Sequence, residues 1–322
     1  MKKNHHTQTG FRNIETPSKA HTNRSNYWSF IWRRLTQSTP KLENTDHVLS
    51  SNEVLQQIEK HSAHDSCTWL GHDTFLIRAA GLTLLTDPYL TDYASPIKGL
   101  FRRYSPPGLT VAMLPKIDVL LVSHNHYDHL DAHTVAQLPN RELIQVIVPL
   151  GLGDFFRYYG YKKIIELDWH SCWHTDNLSV TALPAIHFSG RGLFDHNKTL
   201  WAGYLLEISG KRIYFAGDTA YGALFSQLGQ QYGPIDYGFV PIGAYLPREL
   251  LKASHTTPAE AVQMGIDMRI NTLIGMHWGT VKLSDEPLFE PPELFLRAGR
   301  EANYTDEQLW VMKIGETRGL HL

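Results

Sequence analysis

Three histidines and an aspartate, His124, His126, Asp128 and His129, fall within the string Ser123-His124-Asn125-His126-Tyr127-Asp128-His129. Few folds can accommodate such a string. Protonated, the imidazoles repel one another; buried and unpaired, each polar group costs about 1–3 kcal/mol. A divalent cation removes both difficulties, because neutral imidazole nitrogen and carboxylate oxygen are ordinary zinc ligands. The residues just before, Ile117-Asp118-Val119-Leu120-Leu121-Val122, are mostly apolar and read as a buried strand. The cluster therefore sits on the loop leaving a strand, where α/β sheets place their sites. Asp131 is placed to cap a helix over 132–138. With 18 histidines in 322 residues some clustering arises by chance, but the H-x-H-x-D-H spacing favours a metal over a solvated polar loop.

Composition sets broad bounds. The length suits one large α/β domain or two small ones. Hydrophobic residues at 42% and charged residues at 19% are ordinary for a globular protein, and a net charge of −2 argues against a nucleic-acid coat. Two cysteines, Cys67 and Cys172, rule out a disulfide framework. No apolar run approaches the roughly 18–20 residues that span a bilayer, and no apolar stretch follows the N-terminal lysines. The expectation is a cytoplasmic protein, with peripheral contact at the inner membrane as its one route to lipid.

Residues 1–60 are polar and weakly periodic and are expected to form a partly irregular arm; 61–322 are expected to form the catalytic domain. Within the arm, Tyr27-Trp28-Ser29-Phe30-Ile31-Trp32-Arg33-Arg34-Leu35 mixes aromatic and basic residues. Packing against the main domain is the plainer reading, and resting at a membrane interface the other. The loop Leu100-Phe101-Arg102-Arg103-Tyr104 offers a similar mixture. Strand-like runs at 74–78 and 82–88 flank Gly81 as a hairpin, and 201–208 and 212–216 flank Gly210 as a second. Further strands are predicted at 145–149, 163–167, 178–184, 236–241 and 272–276. Helices are predicted at 151–159 and from Thr257, a cap followed by Pro258. Hairpins in both halves with helices between later strands imply two mixed sheets covered by helices.

Three more metal-competent side chains, His187, Asp218 and His277, follow predicted strands. Singly each reads as a hydrogen-bonded core or surface residue; together with the cluster they supply what a two-metal site needs. The set resembles the metallo-β-lactamase superfamily. The resemblance narrows at Thr68-Trp69-Leu70-Gly71-His72, Leu85-Thr86-Asp87-Pro88, Phe239-Val240-Pro241-Ile242-Gly243-Ala244-Tyr245, Pro247-Arg248 and His277-Trp278-Gly279-Thr280. These are similar to segments of N-acylphosphatidylethanolamine phospholipase D and its bacterial relatives, over most of residues 67–300 and more faintly at Phe11-Arg12-Asn13 and 28–35.

The resemblance implies an α/β fold, a four-layer αββα sandwich of two mixed β-sheets flanked by helices, with a two-metal site at one edge. It implies that His124, His126 and His187 hold one zinc and Asp128, His129 and His277 the other, with Asp218 bridging. It makes Asp87 a carboxylate that orients a ligand histidine, and Tyr127 and His255 residues near the substrate. Gly190 stands where the phospholipase has a substrate-touching lysine, with Arg191 beside it as the candidate replacement. The expected cofactors are two Zn2+ ions, with Mn2+ or Fe2+ also compatible with such ligands.

The expected reaction is cleavage of a phosphodiester, in a phospholipid of the N-acylphosphatidylethanolamine type or a small substrate, by a metal-bridging hydroxide. Asp218 would orient the attacking oxygen and take its proton, and His255 would hold the phosphate or protonate the leaving oxygen. The same ligands serve a lactonase or another ester or amide hydrolase equally well. A non-catalytic, metal-stabilised lipid-binding protein is disfavoured because seven ligands around two metals leave open positions, which a structural zinc lacks. The sequence carries no reading of oligomeric state.

Overall fold

The computed structural model describes residues 4–15, 24–42 and 45–320. Parts of the polar arm therefore lie outside the described residues, as does the side chain of Tyr27. The chain forms two seven-stranded mixed sheets. The first holds β1 (Ser66–Gly71), β2 (Thr74–Ala79), β3 (Leu82–Thr86), β4 (Val119–Leu121), β5 (Gln145–Pro149), β6 (Lys163–Leu167) and the late strand β14 (Thr317–Gly319). The second holds β7 (Cys172–His174), β8 (Leu178–Leu183), β9 (Gly203–Ile208), β10 (Lys211–Phe215), β11 (Ile235–Pro241), β12 (Ile270–Met276) and β13 (Leu309–Trp310). Their spatial orders are β14-β1-β2-β3-β4-β5-β6 and β13-β12-β11-β10-β9-β8-β7. The hairpin halves are antiparallel, and β3 to β6 and β10 to β13 run parallel.

Side-chain alternation sorts the first sheet into two faces. Phe75, Ile77, Leu84, Leu121 and Ile147 join the core shared with the second sheet, where Phe75 meets Phe239 at 4.5 Å between ring centres. Their neighbours Leu76, Leu85, Leu120, Val146 and Val148 point outward, onto Val135 of α3 (Ala132–Gln137) and Phe156 of α4 (Gly153–Tyr158). Val54 of α2 (Ser51–Lys60) joins the same outer layer and is fully buried. The other outer layer is α5 (Leu224–Tyr232), α7 (Pro258–Asp267) and α8 (Glu290–Glu301), with α7 packed on β11 and β12. This is the αββα sandwich expected from the sequence.

The expected caps form. Asp131 accepts the His133 N–H, and Thr257 and Glu260 make a reciprocal capping box at the start of α7, with Pro258 in its first turn. α1 (Arg24–Thr36) resolves the aromatic and basic string into two faces. Phe30 and Arg34 turn inward, Arg34 donating to the Ser284 carbonyl and the Asp285 carboxylate. Trp28 and Trp32 are exposed. The loop at 100–104 is likewise held from below by Arg103, which is buried and donates to the carbonyls of Tyr89 and Ser105. No described helix is long and apolar enough to cross a membrane.

Candidate metal centre

Every ligand candidate leaves its strand at the same edge of the sandwich. His124, His126, Asp128 and His129 follow β4; Asp87 follows β3; His187, Asp218 and His277 follow β8, β10 and β12. The structure brings all seven expected ligands together. His124, His126, His187 and Asp218 form one group with ligand atoms within 4.8 Å of one another. His129, Asp128 and His277 form a second, joined by His72. Asp218 stands between the groups: Oδ2 lies 3.2 Å from His129 Nε2 and 3.6 Å from His187 Nε2, and Oδ1 lies 3.2 Å from His277 Nε2.

The hydrogen bonds around the rings set their tautomers. Ser123 Oγ donates to Asp87 Oδ2 at 2.5 Å and so accepts from His124 Nδ1 at 2.9 Å. His129 Nδ1 donates to Asp87 Oδ2 at 2.8 Å, and His187 Nδ1 to the Ser254 carbonyl at 2.8 Å. Each of these three rings therefore turns an Nε2 lone pair inward. His126 presents Nδ1 instead, 2.8 Å from His124 Nε2 and 3.3 Å from His187 Nε2. Three nitrogens this close, two of them committed lone pairs, make sense around a cation.

The polar atoms left over support the same fit. Among the described residues, His129 Nε2, His277 Nδ1 and Nε2, Asp218 Oδ1, His72 Nδ1 and both Asp73 oxygens are buried without a hydrogen-bond partner. Such groups cost about 1–3 kcal/mol each when orphaned. The residues present fit two divalent cations: His124, His126 and His187 for one, Asp128, His129 and His277 for the other, and Asp218 for both.

Without cations, charge is balanced by protons. Burial alone lowers the His129 pKa, but the carboxylates of Asp218, Asp128 and Asp73 outweigh it and raise it well above the usual histidine range. His277 is raised in the same way by Asp218 and Asp73. Burial, reinforced by neighbouring imidazoles, pushes His124 well down and His126 down to about 3.

His255 sits at the rim with its side chain 12% exposed and Nδ1 3.8 Å from Asp218 Oδ2. Burial lowers its pKa well below the histidine norm, leaving a neutral ring. Tyr127 is half-buried, and its hydroxyl donates to the Arg191 carbonyl at 2.7 Å. Gly190 N–H donates to Asn125 Oδ1 at 2.7 Å. Arg191 does not take the place of the missing lysine. Its guanidinium donates to the carbonyls of Asn125 and Leu130 at 2.8 and 2.6 Å and lies 4.0 Å over the Tyr127 ring. It braces the histidine loop from behind, because five donors in a planar fork satisfy buried carbonyls well.

Two residues beside the metals escaped sequence reasoning. His72 Nε2 lies 2.9 Å from Asp128 Oδ2, and Asp73, fully buried, has Oδ2 3.5 Å from His129 Nδ1. Both occupy the β1–β2 turn, where His72 takes a φ of 54°. The signal available was the polar pair His72-Asp73 interrupting two apolar strands; only the three-dimensional pairing takes it to residues over 50 positions away.

Comparison with known proteins agrees with this geometry. A family model described as the β-lactamase superfamily domain matches residues 83–278. An uncharacterized protein of Mycobacterium tuberculosis is 39% identical over 244 residues, 74% of this chain and 65% of that protein. The chain thus spans about two thirds of the length of that relative. The N-acyl-phosphatidylethanolamine-hydrolyzing phospholipase D 1 of Caenorhabditis elegans is 36% identical over 272 residues, covering 79% of this chain and 76% of the nematode protein. Among solved structures, the isothiocyanate hydrolase from Delia radicum gut bacteria superposes with a TM-score of 0.63 at 19% identity, over 79% of this chain and 99% of its own. With two mixed sheets, seven ligands gathered at their shared edge and a family model spanning most of that architecture, the chain belongs to the metallo-β-lactamase superfamily.

Proposed function

We propose that this chain is a binuclear metal-dependent hydrolase that cleaves a phosphodiester bond, in a phospholipid of the N-acylphosphatidylethanolamine type. The observation that carries the reading is the convergence of seven ligands in two groups on Asp218. The similarity to the nematode phospholipase D supports the choice of bond. Two divalent cations in such a site lower the pKa of a water molecule and draw charge from oxygens of the substrate. Zinc, manganese and iron all suit these ligands.

The chain's own residues supply the rest. The Asp218 carboxylate, between the two groups, orients the attacking water and accepts its proton. His255, neutral and at the rim, donates a hydrogen bond to a phosphoryl oxygen or passes a proton to the leaving oxygen. Tyr127, pinned by Arg191, forms a fixed wall beside His126. His72 and Asp87 hold Asp128 and His129 in place.

Arg191 is committed to carbonyls, so no cationic side chain from the loop after His187 meets a phosphate. That observation favours, as a second reading, a lactone or other uncharged ester attacked at carbon. Peripheral contact with lipid would run through the loop that follows His187. Leu193 and Phe194 there are 92% and 85% exposed, while Asp195 accepts the N–H groups of Arg191 and Gly192 and keeps the tip shaped. Metal analysis and assays on bis-p-nitrophenyl phosphate, N-acylphosphatidylethanolamine vesicles and a lactone test the proposal. Two metals per chain with phosphodiester hydrolysis support it; lactone turnover with no phosphodiester turnover replaces it by the second reading.

A further inference from the structure

His187 is the ligand least supported by its own element. β8 ends at Leu183, and His187 lies four residues further on, in irregular chain, with the residue 2% exposed. A buried backbone N–H and C=O outside a ladder still require partners. Both come from one side chain. Asn13 Nδ2 donates to the His187 carbonyl at 2.9 Å, and Asn13 Oδ1 accepts the His187 N–H at 3.1 Å. The same oxygen accepts the Trp201 indole N–H at 3.2 Å. A carboxamide is the one side-chain group that offers a donor and an acceptor in the layout of a neighbouring strand.

The segment carrying Asn13 is tied down along its length. His5 Nε2 lies 2.6 Å from Asp168 Oδ1 and His6 Nε2 3.0 Å from Oδ2, just past β6. The His5 ring packs 4.3 Å from Trp169. Phe11 N–H donates to the Asn197 carbonyl at 2.8 Å, and a Cβ at Gly10 would stand 2.0 Å from that same oxygen, so only glycine lets the segment lie this close. At its far end Glu15 reaches Gly222, four residues beyond Asp218. The segment therefore crosses from β6 over the His187 loop to the Asp218 loop.

We propose that residues 4–15 are a strap that positions the metal ligand His187, with Asn13 as the positioning residue and the His5–Asp168–His6 clasp as its anchor. This rests on the reading of the site as a metal centre. Asn13 fixes the main chain of His187 while the Ser254 carbonyl fixes its ring, so Nε2 is aimed from two directions. Loss of the strap frees the main chain and leaves the ring on one hydrogen bond.

The test is metal binding by the full-length chain. Cobalt(II) and zinc affinities are measured by chelator competition, and the visible spectrum of the cobalt form is recorded, for the wild type, Asn13→Ala, Asn13→Asp and a His5→Ala/His6→Ala double variant. The wild type is expected to bind two ions. Asn13→Ala is expected to weaken one of them about 10–100-fold, the usual loss when a ligand's support is removed, and to change the cobalt spectrum. Asn13→Asp keeps the acceptor but not the donor and is expected to fall between. The double variant, remote from the metals, is expected to weaken the same ion and keeps the inference testable if Asn13→Ala misfolds. Unchanged affinities and spectra in folded Asn13→Ala and in the double variant overturn the strap, even where melting temperature drops. A wild type that binds no metal overturns the metal-centre reading instead.

Discussion

Asp87 grips Ser123 twice, accepting its backbone N–H at 2.7 Å and its hydroxyl at 2.5 Å. Because that hydroxyl in turn accepts from His124, and Asp87 also accepts from His129, one buried carboxylate orients a histidine of each metal group. Asp87→Asn puts an NH2 group against at least one existing donor. We expect metal affinity to fall about 10–100-fold with secondary structure retained, read by chelator competition and circular dichroism. Unaltered affinity would show that the rings hold their tautomers without it.

Asp218 is expected to matter more for turnover than for folding. Asp218→Asn keeps shape and one acceptor oxygen but removes the charge shared between the groups. Turnover should fall by at least about 100-fold, while the melting temperature of the metal-free protein changes little. Near-normal activity contradicts the bridging role.

Gly217, just before Asp218, has a φ of 57°, and a Cβ there would stand 2.5 Å from Ser123 Cβ. Gly217→Ala therefore combines backbone strain with a clash against the residue that carries the Asp87 bonds. A loss of about 1–3 kcal/mol is expected, visible as a lower midpoint in urea. A stable alanine variant would mean that the β10 end shifts freely.

Removing the metals should expose a pH dependence with a definite sign. In the metal-free chain His129 and His277 have raised pKa values, caused by the carboxylates that outweigh burial. Their protons stabilise the fold fully below the unfolded histidine value near 6.5, and this stabilisation is lost as pH rises through the raised folded values. Chelator-stripped protein should therefore melt lower at about pH 9 than at about pH 6, and its gap to the metal-loaded protein should widen. A gap that narrows over that range contradicts the assignment of protons to these rings.

Leu193 and Phe194 give the lipid reading a separate test. Each side chain transferred from water to a bilayer contributes about 1.5–3 kcal/mol. A Leu193→Ser/Phe194→Ser double variant should thus float with vesicles at least about tenfold less while hydrolysing a small soluble substrate normally. Undiminished flotation moves the contact to α1, where Trp28 and Trp32 are exposed.

The parts of the site legible in the sequence were those written locally. Apolar runs such as 145–149 and 163–167 match β5 and β6 to the residue, because strands buried between layers have no polar face to blur them. The cluster at 124–129 announced itself by spacing. What was illegible depended on distant pairing. β7, β13 and β14 are two- or three-residue edge strands, too short for a pattern. α2 carries a Ser50–Glu53 capping box inside a segment whose composition reads as polar arm. His72 and Asp73 look like an ordinary turn until β1 and β2 bring them to Asp128 and His129. Arg191 looked like a substrate contact because sequence proximity to Gly190 says nothing of direction, and its guanidinium faces the other way.

The two sheets contribute the ligands unequally in time as well as in space. A ribosome has delivered His124, His126, Asp128 and His129 well before β8, β10 and β12 exist, and His277 arrives after six-sevenths or so of the chain. Neither metal position can close on the early half alone. Loading is therefore a late event in biosynthesis, and a truncated product that has lost β12 is an apoprotein by construction.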